Sequence, residues 1–176
     1  MAGIAAFTLS ADDYVSMQRT VFVRQLRSRR FAIRLSLLQA AVLTASLLFF
    51  VMAGEPLQEA AWLGVLTLLA GTIGLSIVIG GHFLLLPRRA RRLFTQQRML
   101  HHPVEVTWDS AGICWRTPHG VTTYPWNQYI AWQRTPRLFL LYASDLVLYA
   151  VPTQALDMQA EEDLAQAAAA GGLPQR

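Results

Sequence analysis

The chain has 176 residues, 53% of them hydrophobic, and a formal net charge of +4 whose positive side is arginine alone, since it holds no lysine. This length leaves room for two long apolar helices and one small domain. Basicity would point to nucleic acid if the charge lay on a soluble face, but eleven of the fifteen arginines flank two apolar runs, which favours anionic lipid headgroups over nucleic acid, and lone Cys114 excludes an intramolecular disulfide.

Residues 1–34 are expected to form an N-terminal strand and a juxtamembrane helix. Ile4 to Leu9 is the strand, with Phe7 and Leu9 on one face. Ser10 followed by Asp13 resembles a capping box in which Asp replaces the usual Glu. The helix then runs from Ala11 through Tyr14, Met17, Val21 and Leu26 into the first apolar run.

Residues 35–86 are read as a transmembrane helical hairpin, with spans at 35–53 and 61–86 free of charge. The first span is roughly 28 Å long at about 1.5 Å per residue, close to the ~30 Å hydrocarbon thickness. Continuous apolar runs of this length lack the alternation of a barrel strand, so helices are the spanning form expected. The alternatives are two buried core helices of a soluble domain and, for the first run, a signal peptide cleaved after Val51-Met52-Ala53. More than thirty residues precede that run, which is long for a signal n-region.

Arg24, Arg27, Arg29, Arg30 and Arg34 precede the first span, and Arg88, Arg89, Arg91 and Arg92 follow the second. The loop between carries Glu55 and Glu59 and no positive residue. The positive-inside rule then places both termini in the cytoplasm and Trp62 at the outer interface. These nine arginines are the candidate contacts to the anionic inner leaflet. Ser36, Ala40 and Thr44 on the first span, and Gly64, Gly71 and Gly74 on the second, are the candidate packing residues, because small side chains let helices approach closely in lipid. Gln39 is expected to hydrogen-bond within the hairpin, and His82 to reach water near the inner interface.

Residues 87–102 form a basic linker able to continue the second helix; its His101-His102 pair supplies too few ligands for a zinc site. From Pro103 the pattern changes to period two. Val104, Val106 and Trp108 alternate with polar residues, Ile113 and Trp115 follow a turn at 109–112, and further strands are expected at 121–124, 129–134, 138–142 and 146–151. A single helical turn is expected at Pro125 to Gln128. Asp157 caps a closing helix over 158–170, whose early Glu161, Glu162 and Asp163 complement its dipole. The fold class expected is thus α+β: a two-helix hairpin plus a small antiparallel β domain at 103–176, closed by a C-terminal helix. Six strands and a terminal helix is the order of pleckstrin-homology-like domains.

FTLSADDY at 7–14, the hairpin, YPWNQYIAW at 124–132 and LVLYAVPTQAL at 146–156 resemble the YcxB-like family of bacterial membrane proteins. In that family a Trp after Pro opens a turn before a strand, as Trp126 does here, and a strand ends on a hydrophobic-Pro pair, as at Pro152. A basic residue often follows that Pro; Thr153 and Gln154 stand here. The resemblance implies a pleckstrin-homology-like cytoplasmic domain and a multi-pass protein of the bacterial inner membrane. It implies no catalytic residues.

No G-x-S-x-G elbow, P-loop or G-x-G-x-x-G occurs. The expectation is therefore a non-enzyme without cofactor or metal. Its β domain is expected to act as a membrane-tethered module for a protein or lipid partner. The alternative is an accessory or regulatory subunit of a larger membrane complex such as a transporter or signalling system.

Overall fold

The structure is a computed structural model that describes residues 3–145 and 147–176. The chain forms two compact units, residues 3–18 with 88–176 and residues 19–87.

The first unit is the β domain. Strand β1 (Gly3–Phe7) pairs antiparallel with β2 (Val104–Trp108), Gly3 opposite Trp108 and Phe7 opposite Val104. Strands β3 (Gly112–Thr117) and β4 (Gly120–Pro125) complete a sheet of order β1-β2-β3-β4. A second sheet, β5-β6-β7, holds Ala131–Arg134, Leu138–Tyr142 and Leu148–Pro152. Local chemistry sets the turns. Asp109 Oδ1 accepts the N–H groups of Ala111 and Gly112 at 2.7 and 3.0 Å, and Thr135 Oγ1 accepts that of Leu138 at 3.0 Å. Pro125 and Pro152 each end an edge strand, where a missing N–H breaks no ladder.

Helix α1 (Ala11–Leu26) begins in this unit with a reciprocal capping box. Asp13 Oδ2 accepts from Ser10 N and Ser10 Oγ, while Ser10 Oγ accepts from Asp13 N at 3.1 Å. These bonds satisfy a carboxylate only 1% exposed. The other long helices are α2 (Arg29–Met52) and α3 (Leu57–Gln96). Helix α4 (Met158–Ala170) buries Leu164, Ala165 and Ala168 and is capped by Asp157, which accepts from Ala160 N at 2.6 Å. Glu161 and Glu162 do more than complement its dipole, pairing with Arg134 at 2.8 and 3.3 Å.

The core lies between the sheets and α4, around Val106, Trp108, Ile113, Trp126, Phe139, Val151 and Leu164. Strand β6 is buried at every position: Phe139 and Leu141 face this core, while Leu138, Leu140 and Tyr142 form a second cluster with Ala131 and Ala150, against which Met17 of α1 packs.

Several sequence expectations change. Among the described residues the six strands expected in 103–176 are present and β1 joins them as a seventh, so residues 3–18 belong with the β domain and not to a separate 1–34 segment. The first strand is Gly3–Phe7, where Ile4 to Leu9 was expected. The fifth begins at Ala131, and the last at Leu148; the expected start of the last, Leu146, lies outside the described residues. Residues 87–102 are no plain linker. Helix α3 runs through Pro87 to Gln96, and a 3-10 turn follows at Arg98–His101.

The second unit holds the end of α1, all of α2 and α3 up to Pro87. The expected continuous helix from Ala11 into the first span is broken at Arg27 and Ser28. Ser28 Oγ donates to Gln25 O at 2.8 Å and accepts from Phe31 N at 3.2 Å, closing one helix and capping the next. Two helices, α2 and α3, are long and apolar enough to cross a membrane. The buried-core alternative does not hold: no residue of α2 is buried, and Leu37, Phe49, Ile77 and Leu84 are all more than 60% exposed.

The hairpin packs on a different face from the one expected. On α2 the half-buried residues are Phe31, Leu35, Gln39, Val42, Ser46, Leu47 and Phe50, whereas Ser36, Ala40 and Thr44 are exposed. One position is about 100° of helix, so a shift of one residue turns the expected stripe out of the seam. On α3, Gly64 is buried, and a Cβ there would lie 3.5 Å from Leu43 Cδ1; at Gly71 and Gly74 it would meet nothing within 4 Å. Gly64 therefore lies at the seam, and Gly71 and Gly74 do not. Gln39 Nε2 donates to Thr72 Oγ1 at 3.3 Å, as expected of Gln39, and His82 stacks on Phe22 at 5.5 Å. We expect oxidative cross-linking of a Gln39→Cys, Thr72→Cys pair, in a Cys114→Ala background, to fall several-fold on Gly64→Leu. Gly71→Leu should leave it unchanged.

Candidate functional site: an aromatic cleft in the β domain

A cleft of about 530 Å³ opens between the two sheets of the β domain. Strands β4 and β7, edge strands of different sheets, form its sides through Thr122, Tyr124, Leu148 and Tyr149. Phe7 of β1, with Tyr14 and Met17 of α1, lines it too, as do Met99 and Leu100 of the 3-10 turn. The unit draws these residues from both ends of the sequence because β1 pairs with β2.

The floor is aromatic. Trp115 and Tyr149 lie 5.1 Å apart between ring centroids, and Tyr124 and Tyr149 5.6 Å apart. Two hydrogen bonds join their polar atoms. Trp115 Nε1 donates to the Tyr129 hydroxyl at 3.1 Å, and the Tyr149 hydroxyl donates to that of Tyr124 at 3.2 Å. Burial pushes the Tyr129 phenol well above the ordinary tyrosine range and, helped by the bond to Tyr124, pushes Tyr149 up to about 12. Both phenols are thus neutral at physiological pH.

This shift has a signed consequence. Tyr149 holds its proton more tightly folded (about 12) than unfolded (10.0), so the associated stability is fully present below pH 10 and is lost as pH rises through about 12. Tyr149→Phe should flatten that alkaline loss. Thermal melts of the protein across this range, with tyrosinate absorbance followed in parallel, measure it.

Among the described residues no acidic side chain or arginine lines the cleft. Its remaining polar groups are Thr117, Thr122 and His119, and the His119 ring meets that of His102 edge-on at 4.7 Å. Such a lining suits apolar matter. Among the described residues no group of three or more His, Cys, Asp or Glu side chains is placed to hold a metal ion.

The residues singled out from sequence lie elsewhere. Trp126 is 3% exposed in the core and donates from Nε1 to Asp109 O at 2.9 Å. Pro152 is fully buried opposite Leu138. Arg27, Arg29, Arg30, Arg34, Arg88, Arg89 and Arg92 are exposed, and Arg24 is half-buried. Arg91 is not simply free for lipid, since its guanidinium pairs with Asp12 Oδ1 at 3.0 Å. That pair is solvent-exposed and worth at most ~1 kcal/mol. Sequence reading missed Trp115, Tyr124 and Tyr149 as a site. Their only local signal is an aromatic residue on each of three strands, and strand spacing does not reveal that they converge.

No curated protein and no solved structure matches the chain. Residues 108–168 match the model of a family described as YcxB-like protein. The match runs from the last residue of β2 through β3, β4, β5, β6 and β7 into α4, and so takes in Trp126, Pro152 and the aromatic floor of the cleft. FTLSADDY and the hairpin lie outside it. Over residues 108–168, then, this chain is similar to the YcxB-like family.

Proposed function

We propose that the protein is a two-pass protein of the bacterial inner membrane, with both termini cytoplasmic, whose β domain is a pleckstrin-homology-like module that binds a protein or lipid partner. The single observation that carries the binding role is the cleft: an open trough with an aromatic floor, its two tyrosine hydroxyls joined by one hydrogen bond and, among the described residues, no carboxylate or guanidinium in its wall. Such a wall gains by covering apolar surface.

Two further observations support the rest of the reading. Antiparallel sheets of four and three strands with a helix after the last are consistent with a pleckstrin-homology-like layout. The exposed apolar surfaces of α2 and α3 far exceed what water tolerates, and lipid is the solvent that suits them. The arginines before α2 and after the apolar part of α3 then mark the cytoplasmic side.

The test is a photoreactive amino acid at Thr122, on the cleft wall, in the full-length protein in native membranes. A discrete adduct at Thr122, absent when the same group stands at exposed Gln128 outside the cleft, is the expected result. Equal or no labelling at the two positions counts against the binding role.

A second reading, an accessory subunit of a larger membrane complex, has one observation in its favour. Gly71 and Gly74 face open space on α3, leaving a close-approach surface for a helix of another chain. Gly71→Leu with Gly74→Leu should then abolish co-purification of the partner while insertion is retained.

A further inference from the structure

We propose that the β4–β7 cleft binds one free long-chain fatty acid, its alkyl chain along the trough and its carboxylate at the His119 end; this rests on the binding role proposed above for the same cleft. The shape argues for a chain. Lining positions on β4 run from Gly120 to Tyr124, four residue steps of roughly 3.3 Å, so the trough is about 13 Å long on that side. The walls include Met17 and Met99, unbranched side chains that adapt to a ligand without fixed contours.

The chemistry argues for an acid. The Tyr149 hydroxyl spends its proton on that of Tyr124, so the middle of the trough keeps one phenol donor and is otherwise aromatic and aliphatic. The polar side chains at the Gly120 end are Thr117, whose hydroxyl already donates to Gly120 O, and His119, seated against His102. An imidazole N–H donates to a carboxylate, and among the described residues no acidic side chain lines the cleft to repel one. A ligand with an apolar body and one anionic end matches both halves of this lining. The volume, about 530 Å³, sits in the ~300–1,000 Å³ range of single small-ligand sites, which suits one chain better than two chains and a headgroup.

The experiment uses the full-length protein in nanodiscs with a diazirine-bearing palmitic acid, the labelled peptides being mapped by mass spectrometry. Labelling of peptides holding Met99, Trp115 or Leu148, competed by unlabelled palmitate, is expected. Ala150→Trp fills the trough and should cut this labelling about tenfold. Should that variant fail to fold, His119→Gln serves instead. It should weaken palmitate competition about 2–5-fold and leave competition by the matching fatty alcohol unchanged. Labelling confined to α2 and α3, labelling that palmitate does not compete, or equal labelling by a diazirine-bearing phospholipid each overturns the proposal. If the fatty acid fails while the Thr122 probe still gives its discrete adduct, as with a peptide lying along β4, only the ligand class falls. If both fail, the binding role falls with it.

Discussion

Trp126→Ala should destabilise the β domain by about 3–5 kcal/mol, the range for deleting a large buried aromatic side chain. The ring does three jobs at once. It fills the core at 3% exposure, packs near Tyr129 at 6.5 Å between ring centroids, and ties its Nε1 to Asp109 O in the β2–β3 turn. It also abuts the end of α4 so closely that a Cβ at Gly171 would lie 2.5 Å from Trp126 Cγ. Removing it leaves a cavity shared by the turn, the second sheet and the closing helix. Limited proteolysis and thermal melting of the full-length protein measure the loss. An unchanged melt would mean that this core is not the one described.

Residues 103–176 expressed alone should fail to fold. They hold six strands and α4, but leave the β2 edge bare where β1 belongs and uncover the surface that Ala5 and Phe7 close. Losing that strand costs several kcal/mol of burial, a large share of the ~5–15 kcal/mol that holds a small domain together. Joining residues 3–18 by a flexible linker to 88–176 should restore a cooperative melt and dispersed amide resonances. A cooperative melt of the shorter fragment would show that β1 is dispensable.

These two expectations mark where the sequence is readable. Elements set by neighbours in the chain are legible: strand β6, helix α4 with its Asp157 cap, the single turn at Trp126–Gln128 and the two apolar helices all come from local pattern. The β1–β2 pairing is not, because Gly3 and Trp108 are brought together across the whole hairpin and no local signal links them. The hairpin seam misleads for a different reason. Small residues suggest close packing, yet Leu35, Gln39, Val42 and Ser46 sit in the seam while Ser36, Ala40 and Thr44 face out, one position away. The cleft is the least legible feature. Tyr124 and Tyr149 lie in different sheets, and each reads in sequence as an ordinary strand aromatic.

The discontinuous β domain also constrains topology. Residues 3–18 and 88–176 form one unit, so both ends of the hairpin must lie on one side of any membrane that α2 and α3 cross. That outcome follows from strand pairing alone and agrees with the arginine distribution, an independent argument. The most direct test is accessibility to a membrane-impermeant maleimide in a Cys114→Ala background. Gln58→Cys, beside the acidic loop, should label from outside intact spheroplasts, and Gln175→Cys only in inverted vesicles. Labelling of both from the same side, or recovery of the chain in the soluble fraction after membranes are pelleted, would contradict the account.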